Sequence, residues 1–223
     1  MKLQWISLST LFVAGLVLEG AASVAGRPAC CHSTGVDGAE TTLAAVTPAE
    51  ETKGAAAEKP AALTVLSDDA RELKQAFNAD EGVVRVLLIV SPRCPMCRSG
   101  AAMVERALSR IQTGQLKVYV VWIHRLYRDD REAAQEAAAL VADKRARHFW
   151  DGGGSLGKEY GKIISLPQNK KFAWDVYFIF GRQAKWTNAP PKPDFWMHQL
   201  GGPETGNMLD GEKFRQEIVR RLP

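Results

Sequence analysis

Cysteine is scarce in this chain, and its placement excludes more than its number does. The 223 residues include four Cys and four His, and from Ala62 onward the only cysteines are Cys94 and Cys97. A structural zinc site calls for a second ligand pair at matching spacing, and that part of the chain has none. A disulfide serving stability alone is also disfavoured, because so short a loop constrains the unfolded chain little. There is no Lys/Arg block and no aromatic-basic stripe, and the net charge of +4 is spread along the chain, which argues against nucleic acid as a partner. No internal repeat is visible. The longest apolar stretch, Ile6 to Leu18, is short for a membrane span and is broken by Ser7, Ser9 and Thr10.

What the chain does have is one strong centre. Val83 to Val90 is almost wholly apolar and rich in β-branched residues, with Arg85 as the exception. Such a run predicts a strand buried on both faces. Ser91-Pro92-Arg93-Cys94-Pro95-Met96-Cys97-Arg98 follows it. Ala101, Val104, Leu108 and Ile111 then recur at helical spacing, with Gly114 as a stop. Cys94 is therefore expected at a helix entrance, beside unpaired backbone N–H groups and the positive end of the helix dipole. Together with Arg93 and Arg98 this position favours the thiolate, the form that attacks disulfides. Cys97, one turn further in, is placed to close a disulfide with it. Pro95 suits the first helical turn, where a missing N–H is harmless.

The amino terminus has a separate character. Met1-Lys2, the apolar stretch, and then Ser23 and Ala25 predict a signal peptide over residues 1–25, cleaved after Ala25. An uncleaved anchor is the alternative, and it is the only route by which a membrane enters this reading. Cys30 suits a lipoprotein site poorly, because Arg27-Pro28-Ala29 lacks the upstream Leu. Residues 26–61 are rich in Ala, Glu, Thr, Gly and Pro and poor in large apolar side chains, which predicts a flexible tether. It carries Cys30-Cys31-His32, read either as linker thiols or as a soft-metal tip. Export places the domain in the periplasm or outside the cell, where thiol chemistry needs a dedicated redox partner.

The rest of the domain, residues 62–223, alternates helices and strands. A helix is expected over Ser67 to Phe77, a strand over Leu116 to Ile123, and a helix capped by Asp129 with Glu132 and reaching Ala142. A short strand, Arg147 to Trp150, leads through Asp151-Gly152-Gly153-Gly154 to a helix capped by Ser155. Val176 to Phe180 is a further buried strand, with Ala184 to Trp186 as its expected hairpin partner. Phe195 to Gln199 forms an aromatic cluster beyond a Pro-rich loop. Asp210 caps a last helix whose inner face carries Phe214, Ile218, Val219 and Leu222.

This order, with Cys94-Pro95-Met96-Cys97 between a strand and a helix, resembles the thioredoxin-like superfamily. Arg147-His148-Phe149-Trp150-Asp151 and then Gly154-Ser155-Leu156-Gly157-Lys158-Glu159-Tyr160-Gly161 resemble its TlpA/ResA-like and peroxiredoxin-like branch. The resemblance implies an α/β class fold, an α/β/α sandwich around a mixed central sheet. It also implies a proline just before the strand Val176 to Phe180, set against the bound substrate. Pro167 is one candidate for that place and Trp174-Asp175 the other, so Pro167, Trp174, Asp175 and Trp196 are the expected substrate-binding residues. Asp175 is in addition a candidate proton acceptor for Cys97. A peroxidase is disfavoured, since Ser91 replaces the Thr of the peroxiredoxin Thr-x-x-Cys and Leu87 replaces its Pro.

The expected activity is thiol–disulfide exchange with protein partners, catalysed by Cys94 and Cys97 without an organic cofactor. The competing reading is a binding module, a chaperone that holds copper or another soft metal through Cys94, Cys97 and His198. His124 and His148 adjoin strands, where a histidine is more often hydrogen-bonded into the structure.

Overall fold

A computed structural model describes residues 62–166, 171–200 and 205–223. The expected signal peptide, the tether with Cys30, Cys31 and His32, and Pro167 lie outside the described residues. In order, the elements are β1 (Leu63–Val65), α1 (Arg71–Ala79), β2 (Val84–Val90), α2 (Pro95–Leu108), β3 (Leu116–Ile123), α3 (Arg131–Ala137), β4 (Ala146–Asp151), α4 (Ser155–Ile163), β5 (Val176–Phe180), β6 (Phe195–His198) and α5 (Gly211–Val219). They build one six-stranded mixed sheet in the order β1-β4-β3-β2-β5-β6. The first four strands run parallel, β5 pairs antiparallel with β2, and β6 pairs antiparallel with β5 at the edge.

The centre of this sheet is the strand that the sequence marks most strongly. All of β2 is buried, and strand periodicity divides it between two layers. Val86, Leu88 and Val90 join Cys97, Val104, Leu108, Phe214 and Ile218 on the side of α2 and α5. Leu87 and Ile89 join Leu73, Phe77, Leu156 and Tyr160 on the side of α1 and α4. Arg85 is buried with them. Its guanidinium donates to the carbonyls of Phe77, Gly181 and Arg182 and lies 4.4 Å from the Phe77 ring centroid. A charge is tolerated inside a central strand because both terminal nitrogens reach backbone acceptors, although Nε has no hydrogen-bond partner.

Four local expectations are corrected. Ala184 to Trp186 is not the hairpin partner of β5, whose two antiparallel neighbours are β2 and β6. Trp186 instead turns inward onto Phe77, and its backbone N–H and C=O are both bonded to the Asn78 side-chain amide. The cap of α3 is Asp130, which accepts from the Ala133 N–H, and not Asp129. The cap position of α4 is Gly154, with φ 63, and the Asp151 carboxylate takes the N–H groups of Ser155 and Leu156 from outside the helix. On α5, Phe214 and Ile218 are buried but Val219 is exposed.

Candidate active site

The site lies at the carboxyl end of β2, where parallel strands deliver loops to one edge of the sheet. Cys94 is the cap residue of α2, with extended backbone angles, and its Sγ accepts from the Cys97 N–H at 3.4 Å. Pro95 is the first helical residue, as the pattern predicts. Cys97 is fully buried, whereas Cys94 retains 6 % exposure and Met96 between them 51 %. Cys94 is thus the more accessible member of a shielded pair. Both cysteines are free thiols. Arg93 and Arg98 direct their hydrogen bonds to backbone carbonyls. Arg93 donates to the Arg128 carbonyl and pairs with Asp130, and Arg98 donates to the Pro92 carbonyl.

The loop that leads into Cys94 is held from below by Asp129. Its buried carboxylate accepts from Ser91 Oγ at 2.7 Å and from the backbone N–H groups of Arg93, Arg125 and Leu126. That is why Asp129 cannot serve as the helix cap: its oxygens are committed to stitching the β2–α2 and β3–α3 loops together. An Asp129→Asn exchange puts an NH₂ among donors and leaves at least one of them unsatisfied. We expect a loss of about 2 kcal/mol in unfolding free energy, the scale of a buried hydrogen bond to a charged group, read from urea denaturation midpoints.

Behind the thiols stands Asp175, the residue directly before β5. It occupies that place at φ 54, a left-handed conformation that Asp and Asn tolerate better than most residues. The sulfurs of Cys94 and Cys97 and a carboxylate oxygen of Asp175 all lie within 4.8 Å of one another. Burial pushes the Asp175 carboxyl above the usual carboxylate range, partly offset by the Tyr177 hydroxyl and the Cys97 thiol. Burial, followed by the Asp175 charge, drives the Cys97 thiol far above its ordinary value.

Asp175 is itself held in a polar network. Tyr177 Oη donates to its Oδ1 at 2.6 Å, and the Gln199 backbone N–H donates to its carbonyl at 3.0 Å. With its side-chain amide nitrogen facing these acceptors, Gln199 reaches Asp175 Oδ1 at 3.1 Å, the Tyr177 hydroxyl at 3.2 Å and the Met96 carbonyl at 3.0 Å. Gly100 on α2 makes this possible: a Cβ there would fall 1.9 Å from Tyr177 Oη and 2.3 Å from the Gln199 side-chain amide. Tyr177, Gln199 and Gly100 were not singled out by the sequence. The available signal was a hydroxyl inside an otherwise apolar strand, which needs a buried partner.

The other expected residues separate. Trp174 is half-buried against both layers, and Arg125 lies 5.2 Å from its ring centroid. Trp196 packs against the α1/α4 layer, across the sheet from the thiols. His198, two residues on and with its ring 5.3 Å from that of Trp196, shares that face of the strand. His198 Nδ1 accepts from the Leu200 N–H, and the residue is not part of the group formed by Cys94, Cys97 and Asp175. His148 is the buried structural histidine that its position suggests. It accepts from Trp122 Nε1, meets the Val141 carbonyl through Nε2, and is held by burial below its ordinary pKa.

No protein-family model matches this chain, and no curated protein matches it. Solved structures that resemble it include a secreted Mycobacterium tuberculosis disulfide oxidoreductase homologous to E. coli DsbE, at 11% identity and TM-score 0.42 over 64% of this chain and 84% of that one. Another is a putative thioredoxin from Neisseria meningitidis, at 18% identity and TM-score 0.42 over 65% and 78%. A third is a SCO1/SenC family lipoprotein from Bacillus anthracis str. Ames, at 12% identity and TM-score 0.42 over 70% and 90%. The chain's own architecture combines the mixed order β1-β4-β3-β2-β5-β6, helices on both faces and a Cys-x-x-Cys opening the helix that follows a central strand, which is the thioredoxin-like arrangement of an α/β/α sandwich.

Proposed function

We propose that this chain is an exported thiol–disulfide oxidoreductase whose working pair is Cys94 and Cys97. Residues 1–25 act as its signal peptide, residues 26–61 as a tether and residues 62–223 as the catalytic domain, so that it works in the periplasm or outside the cell. The observation that carries the reading is the pairing of a helix-capping, slightly exposed Cys94 with a fully buried Cys97 backed by a buried carboxylate.

The chemistry follows from that asymmetry. The Cys94 thiolate attacks one sulfur of a partner disulfide, a mixed disulfide forms, and the partner's other sulfur leaves as a thiolate that takes up a proton. Asp175 then accepts the Cys97 proton. The Cys97 thiolate attacks Cys94 Sγ, closing the Cys94–Cys97 disulfide and releasing the partner's second sulfur, which is protonated in turn. Two electrons pass from the dithiol to the partner, and the same steps in reverse oxidise a partner dithiol. Cys97 cannot play the first role, since it has no exposed surface and burial holds its proton. Asp175 suits the second step because a carboxyl raised by desolvation is a better match to a reluctant thiol.

A Cys97→Ser variant removes the resolving sulfur and leaves the attacking one. It is expected to accumulate partner proteins as mixed disulfides on Cys94, seen as reducible adducts on non-reducing gels and by intact mass. A Cys94→Ser variant should accumulate none. Equal trapping by the two variants would refute the assignment of roles.

A further inference from the structure

We infer that the reduced protein binds one divalent cation of borderline softness, zinc being the type, through Cys94 Sγ, Cys97 Sγ and an Asp175 carboxylate oxygen, and that closing the disulfide expels it. This goes beyond the redox reading and stands or falls separately from it. Among the described residues, these three form the group of thiol, imidazole and carboxylate ligands close enough to share an ion. Their donor atoms lie within 4.8 Å of one another, and all three residues are buried. A tetrahedral site with Zn–S of about 2.3 Å and Zn–O of about 2.0 Å has edges of roughly 3.5–3.8 Å, so small side-chain adjustments bring the set to bonding distance.

Three further features fit an ion. First, the carboxylate is already oriented: Tyr177 Oη and the Gln199 amide hold Oδ1, and ligating carboxylates are in turn hydrogen-bonded in this way. Second, Cys97 and Asp175 are buried side by side, so a divalent cation in their midst would be met by two ligands already shielded from water. Third, the largest residual exposure of the set is at Cys94, which leaves a fourth coordination position on that side for water or an incoming thiol. The mixed donor set also selects the metal. Copper(I) favours thiolates and gains little from a carboxylate, whereas zinc accepts both.

The balance is simple. Zinc enters and the two thiols release their protons, joined by the carboxyl proton where Asp175 carries one. No electron moves. Oxidation to the Cys94–Cys97 disulfide removes both thiolates, so occupancy reports redox state, and bound zinc blocks attack by Cys94.

The test uses the full mature chain in a Cys30→Ser/Cys31→Ser background, so that those thiols cannot contribute. Zinc affinity is measured by competition with a chromophoric chelator, and copper(I) affinity in a parallel arm. The expected result is one zinc per reduced chain and none per oxidised chain. Asp175→Asn should weaken zinc binding at least 10-fold while changing copper(I) binding less than 3-fold, and Cys97→Ser should abolish both. A zinc-dependent rise in the melting temperature of the reduced protein alone gives a second readout. Equal zinc affinity in the wild type and Asp175→Asn would overturn the site, as would zinc binding by the oxidised protein or none by the reduced one. Disulfide exchange by metal-free protein is assayed alongside. Its presence without zinc binding rejects only the metal site, and zinc binding without it rejects only the redox reading.

Discussion

An Asp175→Asn variant should keep the first step of disulfide exchange and lose most of the second. Attack by Cys94 does not use the carboxylate. Resolution does, because Cys97 is buried and its proton has no better acceptor among the groups described around it. Removing a positioned proton acceptor of this kind typically slows a step by about 10²-fold or more. The mixed disulfide should therefore persist in rapid-quench experiments, with its formation rate near that of the wild type. Asn is the right replacement, since residue 175 sits at φ 54, where Ala would add backbone strain.

The same substitution should stabilise the reduced fold at neutral pH. Burial raises the Asp175 carboxyl above its ordinary value of 3.8. A group raised on folding contributes fully below its unfolded value, and the contribution fades as pH climbs through the folded value. The wild-type melting temperature should thus carry a component that falls as pH rises above about 3.8, and Asp175→Asn should lack it. Loss of rate with gain of stability is the signature of a site kept strained for its chemistry. A variant that is slower and less stable at neutral pH would point to a purely structural carboxylate.

The second large effect lies on the opposite wall of the pocket. A Gly-to-Ala exchange inside a helix ordinarily stabilises by about 1 kcal/mol. At Gly100 the sign should reverse. The new methyl group would lie 1.9 Å from Tyr177 Oη and 2.8 Å from its Cζ, well inside contact distance. Tyr177 cannot withdraw, because it is fully buried and its ring stands edge-on to Phe214. Either α2 shifts away from β5 or the tyrosine leaves Asp175, and the second route also breaks a 2.6 Å hydrogen bond in the interior. Overpacking and a lost buried bond together are expected to destabilise by about 3–5 kcal/mol. Urea denaturation of Gly100→Ala, compared with Gly100→Ala/Tyr177→Phe, measures this. The double variant should recover part of the loss, because the nearest clash is with the hydroxyl. A single variant as stable as the wild type would mean that the α2–β5 approach is looser than described.

The physical signals that worked in the sequence were local ones. β2 is legible because a run of β-branched residues fits only a strand covered on both faces, and α2 because Pro95 and the apolar spacing fix its start and its inner face. Asp210 caps α5 as expected because its side chain meets only its own helix. The failures arise where two local solutions compete and a distant group decides. Asp129 and Asp130 are adjacent carboxylates with equal capping propensity, and only the burial of Ser91 and three backbone N–H groups around Asp129 separates them. Ala184 to Trp186 is the nearer partner for β5, yet Asn78, more than a hundred residues earlier, holds it out of the sheet. In the site, Cys94 and Cys97 are declared by their spacing. Asp175 follows from its place before a strand that pairs with β2. Tyr177, Gln199 and Gly100 matter only because β5, the end of β6 and α2 converge, and no window of sequence contains that convergence. Trp196 and His198 show the same limit. Strand periodicity puts them on one face, but which face the sheet turns to the thiols is a tertiary fact.

The most direct test of the redox assignment is a single turnover of reduced protein with a small model disulfide, stopped at intervals by acid and alkylation and mapped by peptide mass spectrometry. The account predicts that the first adduct forms on Cys94 and decays into a Cys94–Cys97 disulfide as the second thiol of the reagent is released. An adduct that forms first on Cys97, or a Cys94 adduct that never converts to the closed pair, would contradict it.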